Sequence, residues 1–262
     1  MTQAISSSNH DLAVRIKGLE KGFGKFSIHR GLDLDVPKGK VTYIMGGSGT
    51  GKSLLLKQVM GFIPPDKGTI EINGELMDYA NPESIRRIRK NMGILFQNGA
   101  LFDSMNVFRN VSFSLRENLK LPKSELYGRV EDLLVSVGLS MEHSEKMPSE
   151  LSGGQRKRVA LARAIAMKPS IMMYDEPTTG LDPITTMMVT NLIKDVSQKH
   201  KLTSIVISHD THVVFTVAEI IAFLKDGKIK YLGAPRGVFE NSDPDVREFF
   251  ALEERYRNGE KE

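Results

Sequence analysis

The chain has 262 residues, 36 of them basic and 32 acidic, and contains no cysteine. That length suits one domain with an inserted subdomain around a sizeable core. A net charge of +4 is too small a surplus to argue for nucleic acid as a partner, and the missing thiols exclude disulfides, thiolate zinc sites, iron–sulfur clusters and a cysteine nucleophile. Neither the six histidines nor the carboxylates fall at metal-ligand spacing, so any metal is expected to arrive with a bound group. No run approaches the ~18 apolar residues of a membrane span. Residues 1–10 lack the positive start and apolar centre of a signal peptide. The chain therefore reads as cytoplasmic, with 1–11 as a disordered polar tail, and would need another chain to act within a membrane.

Residues 12–16 and 32–36 alternate in polarity, the second run ending at the turn Pro37-Lys38-Gly39, which predicts an antiparallel β patch. Between them Phe23 sits on a Gly22/Gly24 turn. It either caps the core or offers its ring to a base, should a nucleotide bind nearby. The strand pattern at 40–45 is followed by Gly46-Gly47-Ser48-Gly49-Thr50-Gly51-Lys52-Ser53, then by a helical run that stops at Gly61. The octet fits G-x-x-x-x-G-K-[S/T], and strand, glycine turn and helix start together gather backbone N–H groups and a helix N-terminus around one anionic spot. That arrangement suits a polyphosphate. Lys52 would reach its β- and γ-phosphates, and the Ser53 hydroxyl would ligate the Mg²⁺ that bridges them.

Residues 68–76 read as a strand pair turning at Asn73-Gly74. A strand at 92–96 ends in Gln97, at the carboxyl end where parallel strands meet ligand. From about 97 to 167 the pattern turns helical, with Leu126, Val130, Leu133, Leu134 and Val137 at helical spacing and Gly138 as a stop. Leu151-Ser152-Gly153-Gly154-Gln155 opens another helix. Ser152 is a good N-cap, whereas two glycines at a helix start lower its propensity yet let the backbone approach an anion closely. The run Arg156-Lys157-Arg158 reads as a solvated face. Residues 170–176 form an apolar strand ending in two acids, of which Asp175 would hold the Mg²⁺ shell and Glu176 would polarise the attacking water. Asp182-Pro183 looks like N-cap and first position of a helix. A last core strand ends in His209, placed like Gln97 and Asp175 and expected to face the γ-phosphate. Residues 220–224 and 228–232 form a hairpin at Asp226-Gly227, and 244–262 a terminal helix with a solvated end.

Taken together, the loop at 46–53, Gln97, the Leu-Ser-Gly-Gly-Gln stretch, Asp175-Glu176, Gly180-Leu181-Asp182 and His209 resemble the ATP-binding cassette (ABC) ATPases over nearly the whole length. The resemblance implies an α/β fold of the P-loop NTPase kind: a RecA-like core sheet with flanking helices, an antiparallel β subdomain and an inserted α-helical subdomain. In these terms 12–262 is one ABC ATPase domain, with 12–96 and 168–243 as the nucleotide-binding core and β subdomain, 97–167 as the helical subdomain and 244–262 as C-terminal helix and tail. It further implies ATP and Mg²⁺ as cofactors and a head-to-tail homodimer, in which Ser152, Gly153, Gly154 and Gln155 of one copy meet the γ-phosphate held by Lys52 of the other. Gln97 is assigned to Mg²⁺ and the water, Glu176 as general base, His209 to the γ-phosphate, Phe23 to adenine and Asp182 to a contact across the dimer.

The stretches 46–48, 95–104, 107–111 and 182–185 are similar to the ATPase subunits of maintenance-of-lipid-asymmetry (Mla) transporters. Those systems move phospholipids between bacterial membranes with a permease, an MCE-domain protein and often a STAS-domain protein. Gln155 departs from this subfamily, whose members often carry Met there. The resemblance implies a peripheral place on the cytoplasmic face of the inner membrane, with Leu101, Phe102 and Met105 as permease contacts. An importer of a polar solute, such as an amino acid, is the first alternative, and a soluble ABC ATPase outside transport ranks below it.

Overall fold

The computed structural model describes residues 11–257, so the polar tail and the solvated end expected at the two termini lie largely outside the described residues. The chain divides into two compact units, one running up to Arg89 and resuming at Thr203, the other spanning Lys90–Leu202.

The first unit opens with β1 (Leu12–Phe23) and β2 (Phe26–Pro37), paired antiparallel along their length. These strands are longer than the alternating stretches predicted. The pattern breaks at the register shifts, where the pairing steps past Gly18 and Gly31, both at positive φ, so the alternation is lost although the pairing continues. β3 (Val41–Met45) is buried along its whole length, as a strand covered on both faces must be. It leads into α1 (Lys52–Val59). β4 (Lys67–Ile72) and β5 (Glu75–Leu76) turn at Asn73-Gly74, both at positive φ, and complete a sheet of order β2-β1-β4-β5. A helix unforeseen in the sequence follows, α2 (Pro82–Arg89), started by Asn81, whose side-chain oxygen accepts from the backbone of Glu83 and Ser84.

In the second unit, β6 (Met92–Leu95) runs parallel to a later strand and is followed by three helices, where the helical insertion was expected. They are α3 (Val107–Asn118), capped by Asn106, α4 (Lys123–Ser136), whose chain turns off at Gly138, and α5 (Gly153–Ile165). β7 (Ile171–Asp175) is the partner of β6, and α6 (Pro183–His200) closes the unit.

Back in the first unit, β8 (Thr203–Ile207) pairs parallel with β3, α7 (Thr211–Val217) follows, and β9 (Ile220–Lys225) pairs with β3 on its other side. β10 (Lys228–Gly233) forms a hairpin with β9 across Asp226-Gly227. The turn of that hairpin is tied to β2 by Arg30 N–H, which donates to the Gly227 carbonyl at 3.0 Å. α8 (Pro244–Arg257) lays Phe249 and Phe250 against Phe223 of β9, with ring centroids 4.8 and 5.8 Å away. Lys225 and Asp245 anchor it at 2.6 Å, each holding the other charged: the lysine is shifted up and the carboxyl down. The mixed parallel and antiparallel strands with flanking helices are the α/β P-loop architecture that the sequence predicts.

Candidate functional site

Within the first unit the site is built on β3. Its carboxyl end delivers the glycine loop, and α1 starts at Lys52 with Gly51 as N-cap. No side chain caps this helix and no acid lies in its first turn, as suits a helix start whose N-terminal dipole receives an anion. Lys52 is buried and curls back, its amine donating to the carbonyls of Gly46 and Gly47 at 2.8 Å each. Thr50 Oγ1 donates to the Gly47 carbonyl at 3.0 Å. The loop is packed closely from below: a Cβ on Gly46 would lie 2.4 Å from the Leu224 carbonyl, and one on Gly51, at φ +100, would lie 2.7 Å from Ile28 and 2.8 Å from His29. Ser48 and Gly49 form its exposed rim and Ser53 is half-buried. This cradle fits a polyphosphate, with Lys52 as its buried cation. Lys52→Ala should weaken ATP binding about 20-fold, the scale of one or two charge-assisted hydrogen bonds. Titration with a fluorescent ATP analogue tests this, and unchanged affinity would refute the placement.

The parallel pairing of β3 with β8 brings Ser208 and His209 to the same end as the loop; Ser208 N–H donates to the Ile44 carbonyl at 3.3 Å. His209 is exposed there. Phe23 lies at the tip of the β1–β2 hairpin, half exposed, with the Lys21 ammonium 5.4 Å from its ring centroid. Of the two readings open in the sequence, capping the core is the one this exposure removes. Phe26, opposite it across the hairpin, is more exposed still, at 78%.

In the second unit β7 ends in Asp175, and Glu176 follows it. Glu176 takes a left-handed φ of +49, a backbone state that costs a non-glycine residue energy and is concentrated at functional sites. Its carboxylate accepts from Thr179 Oγ1 at 3.0 Å. Gln97 leaves β6 exposed, and its carbonyl accepts from the amine of Lys157 on α5. Lys157 is almost wholly buried; burial pushes its pKa down and the charge of Asp175 draws it back up. Lys157 thus holds the Gln97 carbonyl while its charge lies within the influence of Asp175.

This corrects, at Lys157, the reading of Arg156-Lys157-Arg158 as a solvated face: Lys157 is buried, whereas Arg156 is exposed as expected and Arg158 is half-buried. Arg156 donates to the Leu151 carbonyl at 2.7 Å, and Arg158 to those of Val137 and Gly138 at 3.4 and 3.2 Å. All three cations bind backbone carbonyls that end or link elements. Two further residues missed in the sequence shape the same loop. Arg163 donates to the Gly99 and Ala100 carbonyls, and the wholly buried Asn110 bonds Phe102 and Met105 through its side chain. The phase of α5 could have found Lys157 and Arg163, since Lys157 lies three and four residues before the buried Ala160 and Leu161.

Ser152 N-caps α5 as expected: its hydroxyl accepts from Gln155 N–H at 3.2 Å while Gln155 Oε1 accepts from Ser152 N–H at 2.9 Å. Gln155 also reaches His143 at 3.4 Å. Asp182 caps α6, accepting from Thr185 N–H at 3.0 Å and Thr185 Oγ1 at 2.6 Å, and these donors hold its carboxyl below the usual carboxylate range. The two helix starts pack together at the glycines. A Cβ on Gly153 would touch Leu181 at 3.4 Å, and one on Gly154 would overlap Thr185 Cγ2 at 2.8 Å. Gly154→Ala should therefore cost about 1–2 kcal/mol of stability, and Thr185→Ser, which removes that methyl but keeps the hydroxyl on Asp182, should restore most of it. Urea unfolding of the single and double variants checks this; an equal loss with and without Thr185→Ser would exclude the overlap as the cause.

A glycine loop on an uncapped helix, at the end of a strand whose parallel neighbour ends in histidine, defines a P-loop nucleotide-binding protein. The family model described as "ABC transporter" matches residues 29–179, and the chain belongs to that family, as an ATP-hydrolysing cassette. It is 43% identical over 226 residues to the "Intermembrane phospholipid transport system ATP-binding protein MlaF" of Escherichia coli (strain K12), covering 86% of this chain and 84% of that protein. It is 40% identical over 239 residues to the "Probable ribonucleotide transport ATP-binding protein mkl" of Mycobacterium leprae (strain TN), covering 91% of this chain and 68% of that protein. Among solved structures, the dimeric post-hydrolysis state of the ATP-binding cassette MJ0796, bound to ADP and Pi, superposes with a TM-score of 0.77 at 29% identity, covering 86% of this chain and 99% of that one.

Proposed function

We propose that the chain is the ATP-hydrolysing subunit of a phospholipid transporter that works between bacterial membranes through a separate permease. The observation that carries this reading is the 43% identity to the E. coli phospholipid transport ATPase along most of both chains. Among the described residues no helix is long and apolar enough to cross a membrane. The chain acts from the cytoplasmic face of the inner membrane through permease subunits, with an MCE-domain protein and a STAS-domain protein as further partners.

ATP is held by residues 46–53, with Phe23 against adenine and His209 at the γ-phosphate. The hard oxygen donors of Ser53, Gln97 and Asp175 suit Mg²⁺, which when bound would neutralise phosphate charge. Glu176 is the general base. Two copies assemble head to tail, so that Ser152, Gly153, Gly154 and Gln155 complete the partner's site and Asp182 lies at the junction. The core is 12–96 with 168–243, the helical subdomain 97–167, and the C-terminal part 244–262. Leu101, Phe102 and Met105, on the loop held by Asn110 and Arg163, meet the permease.

The mycobacterial relative's name favours a second reading, an importer of a polar solute. A tagged Glu176→Gln chain, captured with ATP from mild-detergent membranes, separates the two by mass spectrometry of its companions. A permease with an MCE-domain protein and co-purifying phospholipid supports lipid transport. A permease with a solute-binding protein would move the assignment to the importer, and no membrane partner would refute both.

A further inference from the structure

β2 places His29, wholly buried, directly beneath the phosphate loop. Its Nε2 lies 3.2 Å from the Gly51 carbonyl, and its Nδ1 2.8 Å from the side-chain amide of Gln58 on α1. With the Gln58 oxygen toward the ring, both nitrogens would face acceptors and only an imidazolium could satisfy them. Burial opposes that charge and lowers the pKa of His29. The same orientation leaves Gln58 Nε2 buried without a hydrogen-bond partner. The two amide atoms of a glutamine are assigned by their network, and a half-turn of this amide removes the conflict at the ring. Gln58 Nε2 then donates to Nδ1, and a neutral ring donates its Nε2–H to Gly51.

The Gly51 carbonyl also accepts from Leu55 N–H at 2.9 Å, so it is held from within α1 and from β2. Gly51 is the N-cap, and Lys52 and Ser53 follow it immediately. The ring therefore grips the chain where the loop becomes the helix, and the direction of that peptide sets where the first-turn N–H groups and Lys52 point.

We propose that His29 is a positioning residue for the nucleotide, a neutral imidazole whose Nε2–H fixes the Gly51 carbonyl and so aligns the phosphate loop. This rests on the ATP-binding reading of the loop. A side chain that keeps the ring's bulk but lacks the donor leaves the loop packed and one hydrogen bond poorer. One that places an amide N–H near the Nε2 position restores it.

The test combines a spectroscopic signature with a rescue. In the unliganded parental chain labelled with ¹⁵N-histidine, the signal lost in His29→Gln identifies His29. At neutral pH it should show a protonated Nε2 and a bare Nδ1; an imidazolium or the opposite tautomer would overturn the proposal without touching the ATP reading. In steady-state hydrolysis, His29→Phe should raise KM for ATP about tenfold with kcat within about twofold, the size of one lost hydrogen bond, and His29→Gln should recover most of the loss. Equal KM in all three chains would overturn the proposal, as would a His29→Gln chain no better than His29→Phe. Should His29→Phe not fold, the tautomer and a His29→Gln chain of near-parental KM decide it. A parental chain that binds no ATP would overturn the nucleotide reading instead.

Discussion

Glu176→Gln should lower ATP hydrolysis about a thousand-fold while ATP still binds, so that an ATP-bound dimer accumulates. The carboxylate follows β7 in a left-handed conformation and accepts a hydrogen bond from Thr179. A strained backbone and a fixed side chain at a strand's end are what a general base needs, because its oxygen must meet a water rather than swing in solvent. Glutamine keeps the shape and the Thr179 contact and removes the basicity. Proton abstraction by a placed base is worth roughly a hundred- to ten-thousand-fold, and the central value is expected here. The phosphate loop is untouched, so binding persists, and the dimer, no longer dismissed by hydrolysis, remains. Phosphate release assays and size-exclusion chromatography with ATP measure the two effects. Hydrolysis at the parental rate would remove Glu176 from the role of base, and lost ATP binding would place it in nucleotide affinity instead.

What the sequence made legible was whatever depends on neighbours along the chain. The glycine octet, the hairpins at Asn73-Gly74 and Asp226-Gly227, and the caps Ser152 and Asp182 each rest on contacts within a few residues, and the structure carries each of them. The ends of β6, β7 and β8 were readable because an apolar run closing on a polar side chain marks a strand's edge. What escaped depends on distance. His29 falls outside the alternating runs at 12–16 and 32–36, and its partners are 22 and 29 positions away. Gly154 seemed shaped for an anion alone, whereas its lack of a side chain also admits Thr185. Hydropathy marks a charged residue as outward, and Lys157 defeats that rule because its partner is a carbonyl 60 residues earlier.

Lys157→Met should therefore destabilise the chain by about 2–3 kcal/mol, the upper part of the range for a hydrogen bond made by a charged donor that is itself buried. Methionine preserves the volume of the stem, so the loss reports the ammonium rather than a cavity. Two groups suffer at once: the Gln97 carbonyl loses its donor, and Asp175 loses the positive charge that acts on it. For a chain of this length the melting temperature should fall by about 5–10 °C. Hydrolysis should fall further than stability alone accounts for, by about tenfold below the melting range, since the loop carrying Gln97 is released from β7, while ATP binding at residues 46–53 is retained. Differential scanning calorimetry and hydrolysis at 25 °C separate the two effects. An unchanged melting temperature would mean that Lys157 is already satisfied by water in solution, and a melting loss with full activity would confine it to folding. A loss in both with ATP binding intact is the result that makes this lysine the link between the Gln97 loop and Asp175 at the end of β7.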